Sequence, residues 1–93
     1  MMKKLVLALA LMAAAPASAS CYADYKAKLD SPLRLHYGVI ELPDTACTKQ
    51  AASAQIAQRI GADGWKLLNI LSIFNADGLE ERKNSAGQYF LRY

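Results

Sequence analysis

The chain has 93 residues, 54% of them hydrophobic, with eleven basic and eight acidic side chains. That length holds one domain, and the apolar excess sits in residues 1–19, so the remainder has an ordinary globular composition. Lys3 and Lys4 supply most of the net charge of +3; the rest is near balance, which excludes a nucleic-acid binder that works by neutralising phosphates.

Residues 1–19 carry the three parts of a secretory signal: a positive start at Lys3-Lys4, an apolar run from Leu5 to Ala15, and a small-residue exit at Ala17-Ser18-Ala19. The run is about half the roughly 20 residues that a spanning helix needs, so no membrane span is expected. Cleavage between Ala19 and Ser20 leaves a single domain, residues 20–93, in the periplasm or outside the cell. Cys21 stands where a bacterial lipoprotein carries its lipid, but Ser18 holds the place that such leaders fill with Leu, and lipidation is the alternative fate. Cys21 and Cys47, an even pair in an oxidising space, read as a disulfide.

Residues 21–30 are mixed in period and are left open between helix and extended arm; Ser31-Pro32 closes them. Residues 33–42 alternate as a strand, with Leu33, Leu35, Tyr37 and Val39 on one face and Arg34, His36 and Gly38 on the other. Pro43-Asp44-Thr45 is turn chemistry, and Thr45 or Thr48 can cap a helix that runs to about Ile60. Its buried stripe is Ala52, Ile56, Ala57 and Ile60, and Gly61 suits the left-handed residue that closes a helix. Ala62-Asp63-Gly64 reverses the chain into Trp65–Phe74, a second strand with apolar residues on both faces, which points to a central place in the sheet and to Trp65 packed against the helix. Residues 75–86 are a polar connection, and residues 87–93 read as a last strand that pairs back in a hairpin. The expected fold is α+β, a small βαββ domain with one helix packed on a three-stranded sheet in the order 1-3-2.

The run G-A-D-G-W-K-L-L (Gly61 to Leu68), preceded by the amphipathic helix and a Tyr-bearing strand and followed by Y-F-L-R (Tyr89 to Arg92), resembles the small bacterial family catalogued as domain of unknown function 4177. The resemblance covers about residues 33–93 and makes Gly61, Gly64 and Trp65 a structural motif. Lys66 stands where the family often has Glu, the connection before the final strand is longer, and the cysteine pair is an addition. The resemblance implies the strand–helix–strand–strand fold and transfers no catalytic residue.

His36 is the only histidine, and no G-x-S-x-G or similar arrangement surrounds a serine, so it reads as a partly exposed strand residue rather than a general base. Cys21, His36 and Cys47 lack the spacing of a zinc site, and Asn75-x-Asp77-Gly78-x-Glu80-Glu81 places its Gly too early for a calcium loop. No catalytic, metal or cofactor site is therefore expected, and the chain is not read as an enzyme. The eight aromatic residues either fill the core or lend tyrosines to an exposed recognition surface. The functional expectation is an exported small binding or interaction module that uses a sheet face or a free strand edge to hold a protein or envelope partner. Its alternatives are an inhibitor that presents residues 75–86 to the cleft of an extracellular or periplasmic enzyme, and a minor hydrolase.

Overall fold

The structure, a computed structural model, describes residues 21–93; the expected leader, residues 1–19, and the expected Ala19–Ser20 cleavage bond lie outside the described residues. In chain order the elements are β1 (Cys21–Leu29), β2 (Arg34–Leu42), α1 (Lys49–Gly61), β3 (Lys66–Phe74) and α2 (Glu80–Ala86), with short 3-10 turns at Asp44–Ala46, Ala76–Gly78 and Gly87–Tyr89. The strands form one antiparallel sheet in the order β2-β1-β3, with α1 packed on it, so the chain is an α+β domain in which a helix covers a three-stranded sheet.

The central strand is β1, the segment whose sequence pattern was ambiguous. Cys21, Ala23, Tyr25 and Ala27 are all buried on the face toward α1, but three of the four are small, so their stripe is faint in hydropathy. Trp65–Phe74 is an edge strand rather than the best-protected one. Its register slips twice against β1, leaving Leu71 and Leu68 as extra residues between paired neighbours, and both point to solvent. Residues 87–93 are not a strand: Gly87 and Leu91 take positive φ values of 53° and 56°, and only Phe90 bridges to β2, at Val39. The polar connection 75–86 is a 3-10 turn followed by α2.

β2 also buries the opposite face from the one its leucines suggest. Its pairing places His36, Gly38, Ile40 and Leu42 opposite Ala27, Tyr25, Ala23 and Cys21, all under α1, while Leu33 and Leu35 remain exposed. Gly38 makes this possible. A Cβ there would lie 2.5 Å from the Tyr25 Oη, so the glycine clears room for the fully buried Tyr25 ring to lie across its neighbour strand.

α1 starts at Thr48, whose hydroxyl accepts the Ala51 N–H at 3.1 Å, and buries Ala52, Ile56 and Ile60; Ala57 turns away to solvent. Its left-handed closing residue comes three positions later than Gly61. Gly64 carries the positive φ of 88°, its N–H donates to the Gly61 carbonyl at 2.9 Å, and the Trp65 N–H donates to the Ile60 carbonyl at 3.3 Å. That pair of bonds is a Schellman closure with Gly64 as the left-handed residue, and it delivers Trp65 into the same core cluster as Ile60.

Candidate functional site

Three constellations hold the chemistry of the domain. The first is the bonded pair Cys21–Cys47, with Cα atoms 6.0 Å apart. Cys21 opens the central strand rather than heading a flexible arm, and Cys47 immediately precedes the cap of α1, so the bond ties the sheet to the helix laid across it.

The second is a polar lock on the sheet face away from α1. The buried Asp24 carboxylate accepts hydrogen bonds from the Ser72 hydroxyl at 2.7 Å, the Tyr37 hydroxyl at 2.8 Å and the Arg82 Nε at 3.0 Å. Burial alone would raise its pKa, but these donors outweigh that and hold it below the ordinary aspartate value. The same bond to the carboxylate, added to burial, pushes the Tyr37 phenol up to about 12. Arg82 also donates to the Gly78 carbonyl at 2.8 Å and lies 3.9 Å from the Phe74 ring centroid, so one side chain fastens α2 to all three strands' polar face. Each carboxylate oxygen is satisfied, which makes this a structural clamp.

The third is an aromatic cluster around His36. The imidazole is 8% exposed, stacks on Tyr89 at 3.7 Å between centroids, meets Trp65 edge-on at 4.3 Å, and shares a 3.0 Å hydrogen bond from Nε2 to the Tyr25 hydroxyl. Nδ1 is buried with no hydrogen-bond partner among the described residues. His36 is thus a core histidine, not a partly exposed one. Burial, with the Arg92 charge added to it, pushes its pKa down to about 4. Because the folded value lies below the unfolded one, the stabilising neutral ring is fully present above about pH 6.5 and its contribution is lost as pH falls toward 4, by at most about 3 kcal/mol. Urea titrations of wild type and His36→Phe across that window are expected to show the gap between them shrinking as pH falls; a gap independent of pH would contradict the buried neutral ring.

All five tyrosines are buried or half-buried, and the large apolar side chains that stand out in solvent are leucines. Leu33 is 63% exposed, Leu35 67% and Leu68 49%. On the face away from α1, cross-strand pairing sets Leu35, Lys28 and Lys66 in one row and Tyr37, Lys26 and Asn69 in the next, with the bulged Leu68 beside them. Between the two strands' leucines runs an open, mostly apolar groove of about 260 Å³, lined by Lys26, Ala27, Leu35, His36, Tyr37 and Leu68. The Lys26 stem extends its apolar wall and keeps its ammonium group in water.

Of the residues singled out in sequence, the structure joins Cys21 to Cys47 and brings Gly64 and Trp65 together at the end of α1, while Gly61 is an ordinary last helical residue. Asn75 makes a local turn, its side chain accepting the Asp77 N–H at 2.9 Å. Among the described residues there is no group of three metal-ligating side chains, and no helix is long and apolar enough to cross a membrane. Sequence reasoning missed the Asp24–Arg82 clamp and the leucine-lysine face; the alternation of Lys26 and Lys28 with buried small residues was the available signal for the latter. No family model, no curated protein and no solved structure matches this chain.

Proposed function

We propose that the protein is an exported, non-enzymatic binding module whose contact surface is the leucine-lysine end of its open sheet face. The observation that carries this reading is the exposure of Leu35 and Leu68 on the walls of one groove, with Leu33 exposed in the adjoining turn, on a sheet that has other leucine-sized residues safely under α1. Leu35 and Leu68 sit on strands whose backbone is already ordered, so less ordering is needed on binding, which favours a contact role. Export is supported by the leader's charge, apolar run and exit, and by the disulfide, which persists in an oxidising compartment. A binding role rather than catalysis is supported by the fate of the single histidine, whose ring is 8% exposed and packed among Tyr25, Trp65 and Tyr89.

A photoactivatable residue placed at position 35 or 68, compared with positions 54 and 58 on the exposed side of α1, tests the reading in expressing cells. Position-dependent adducts from 35 and 68 are expected. Equal labelling from all four positions, or none from the leucine face, would contradict it.

A further inference from the structure

The charge of the domain is near balance in total but uneven in space. β1 runs from an end that gathers Glu41, Asp44, Asp77, Glu80 and Glu81 against Lys49 and Lys83 to a hairpin end that carries Lys26, Lys28, Arg34 and Lys66. At the hairpin end the Asp30 carboxylate lies 3.5 Å from the Lys28 Nζ, and Asp63 accepts the Tyr93 hydroxyl at 2.7 Å. Lys26 and Lys66 belong to no ion pair among the described residues. The three most exposed leucines among the described residues stand at this same basic end, Leu33 in the β1–β2 turn and Leu35 and Leu68 on the strands beside it.

We propose that this end docks on an anionic lipid surface, with Leu33, Leu35 and Leu68 entering the boundary between headgroups and acyl chains and Lys26, Lys28 and Lys66 lying against lipid phosphates. The proposal rests on the reading of the leucine-lysine face as the contact surface and names its partner. Apolar side chains flanked by cations are the combination such a surface selects, because burial and attraction to anionic headgroups act in the same direction. An extended peptide is disfavoured by the strand edges. The outer edge of β3 is interrupted by the two bulges, and the outer edge of β2 is occupied at Val39, whose carbonyl accepts the Leu91 N–H at 2.8 Å. Backbone pairing along either edge is therefore cut short, whereas a lipid surface needs only the side chains of the face.

Flotation of the purified, oxidised protein with vesicles tests the proposal. It is expected to float with an equimolar mixture of phosphatidylglycerol and phosphatidylcholine, not with phosphatidylcholine alone, and to be released by added salt. Lys26→Gln and Lys66→Gln are each expected to weaken binding about five-fold. Leu35→Ser with Leu68→Ser is expected to weaken it roughly ten-fold or more, while Lys49→Gln and Lys83→Gln, at the other end, leave it unchanged. All of these positions are exposed, and an unaltered thermal transition confirms that each variant is folded. Equal binding to neutral vesicles, indifference to the leucine pair, or absence of binding to either vesicle would overturn the lipid partner. If vesicles fail while cross-links from positions 35 and 68 capture a protein, only the lipid proposal falls; if both fail, the contact-surface reading falls with it.

Discussion

Replacing Trp65 by Ala is expected to destabilise the domain by about 3–5 kcal/mol, read from urea denaturation. The indole is 8% exposed and is held from three sides: by the closure of α1, by His36 at 4.3 Å edge-on, and by Tyr89 at 5.7 Å between ring centroids. Truncation removes the transfer energy of the ring and leaves a cavity that cannot easily collapse, because Gly64 fixes the backbone before it in a left-handed conformation and β3 fixes it after. The loss extends to His36, which would lose its edge-on partner and keep only its tyrosine neighbours. Trp65→Phe is expected to recover part of the stability, and a loss for Trp65→Ala below about 1 kcal/mol would contradict the core placement.

The second large effect concerns the staple. Cys21 and Cys47 are 26 positions apart, a separation for which the chain-entropy model assigns roughly 3.5 kcal/mol of stabilisation. A core this small rarely supplies more than about 3–5 kcal/mol, so the bond is of the same order as everything else that holds the fold. The Cys21→Ser, Cys47→Ser double variant, or the wild type in reductant, is expected to unfold at much lower urea with a cooperative transition retained. Intact mass of the exported protein checks the chemistry: a chain that begins at Ser20 and lies about 2 Da below its reduced form is expected. A free Cys47 thiol, or a mass raised by hundreds of daltons from an acylated Cys21, would contradict it.

Much of the architecture was legible because strong periodic signals coincided with real elements. The alternation in residues 33–42, the capped helix after Thr48 and the branched run to Phe74 all became elements within a residue or two. What misled was side-chain size. β1 buries Ala23 and Ala27 at the very centre of the sheet, where small residues let α1 lie close, so its hydropathy is weaker than that of the edge strand β3. The face of β2 was misread for a related reason. Which set of alternating residues is buried depends on register with a partner, and here Tyr25 seats itself over Gly38 and carries His36 and Ile40 inward with it. Leu33 and Leu35 look like core residues in sequence and stand in solvent, which is why the exposed leucine face could not be read from hydropathy.

The cysteine pair was legible from an even count and the expectation of export, since geometry only had to permit it. The Asp24–Arg82 clamp was not, because its partners are 58 positions apart and each is an ordinary charged residue in its own stretch. α2 lay hidden for the same reason: residues 80–86 have no apolar stripe, and the helix is fastened by Arg82 and by the burial of Ala86.

The claim that binding happens at the leucine-lysine end is tested most directly by amide hydrogen exchange of the oxidised protein with and without isolated envelope membranes. Slowed exchange at Leu33–Tyr37 and Lys66–Leu71, with α1 and α2 unchanged, is the predicted result. Protection centred on α1 or α2, with the two leucine segments exchanging as they do in free protein, would contradict it.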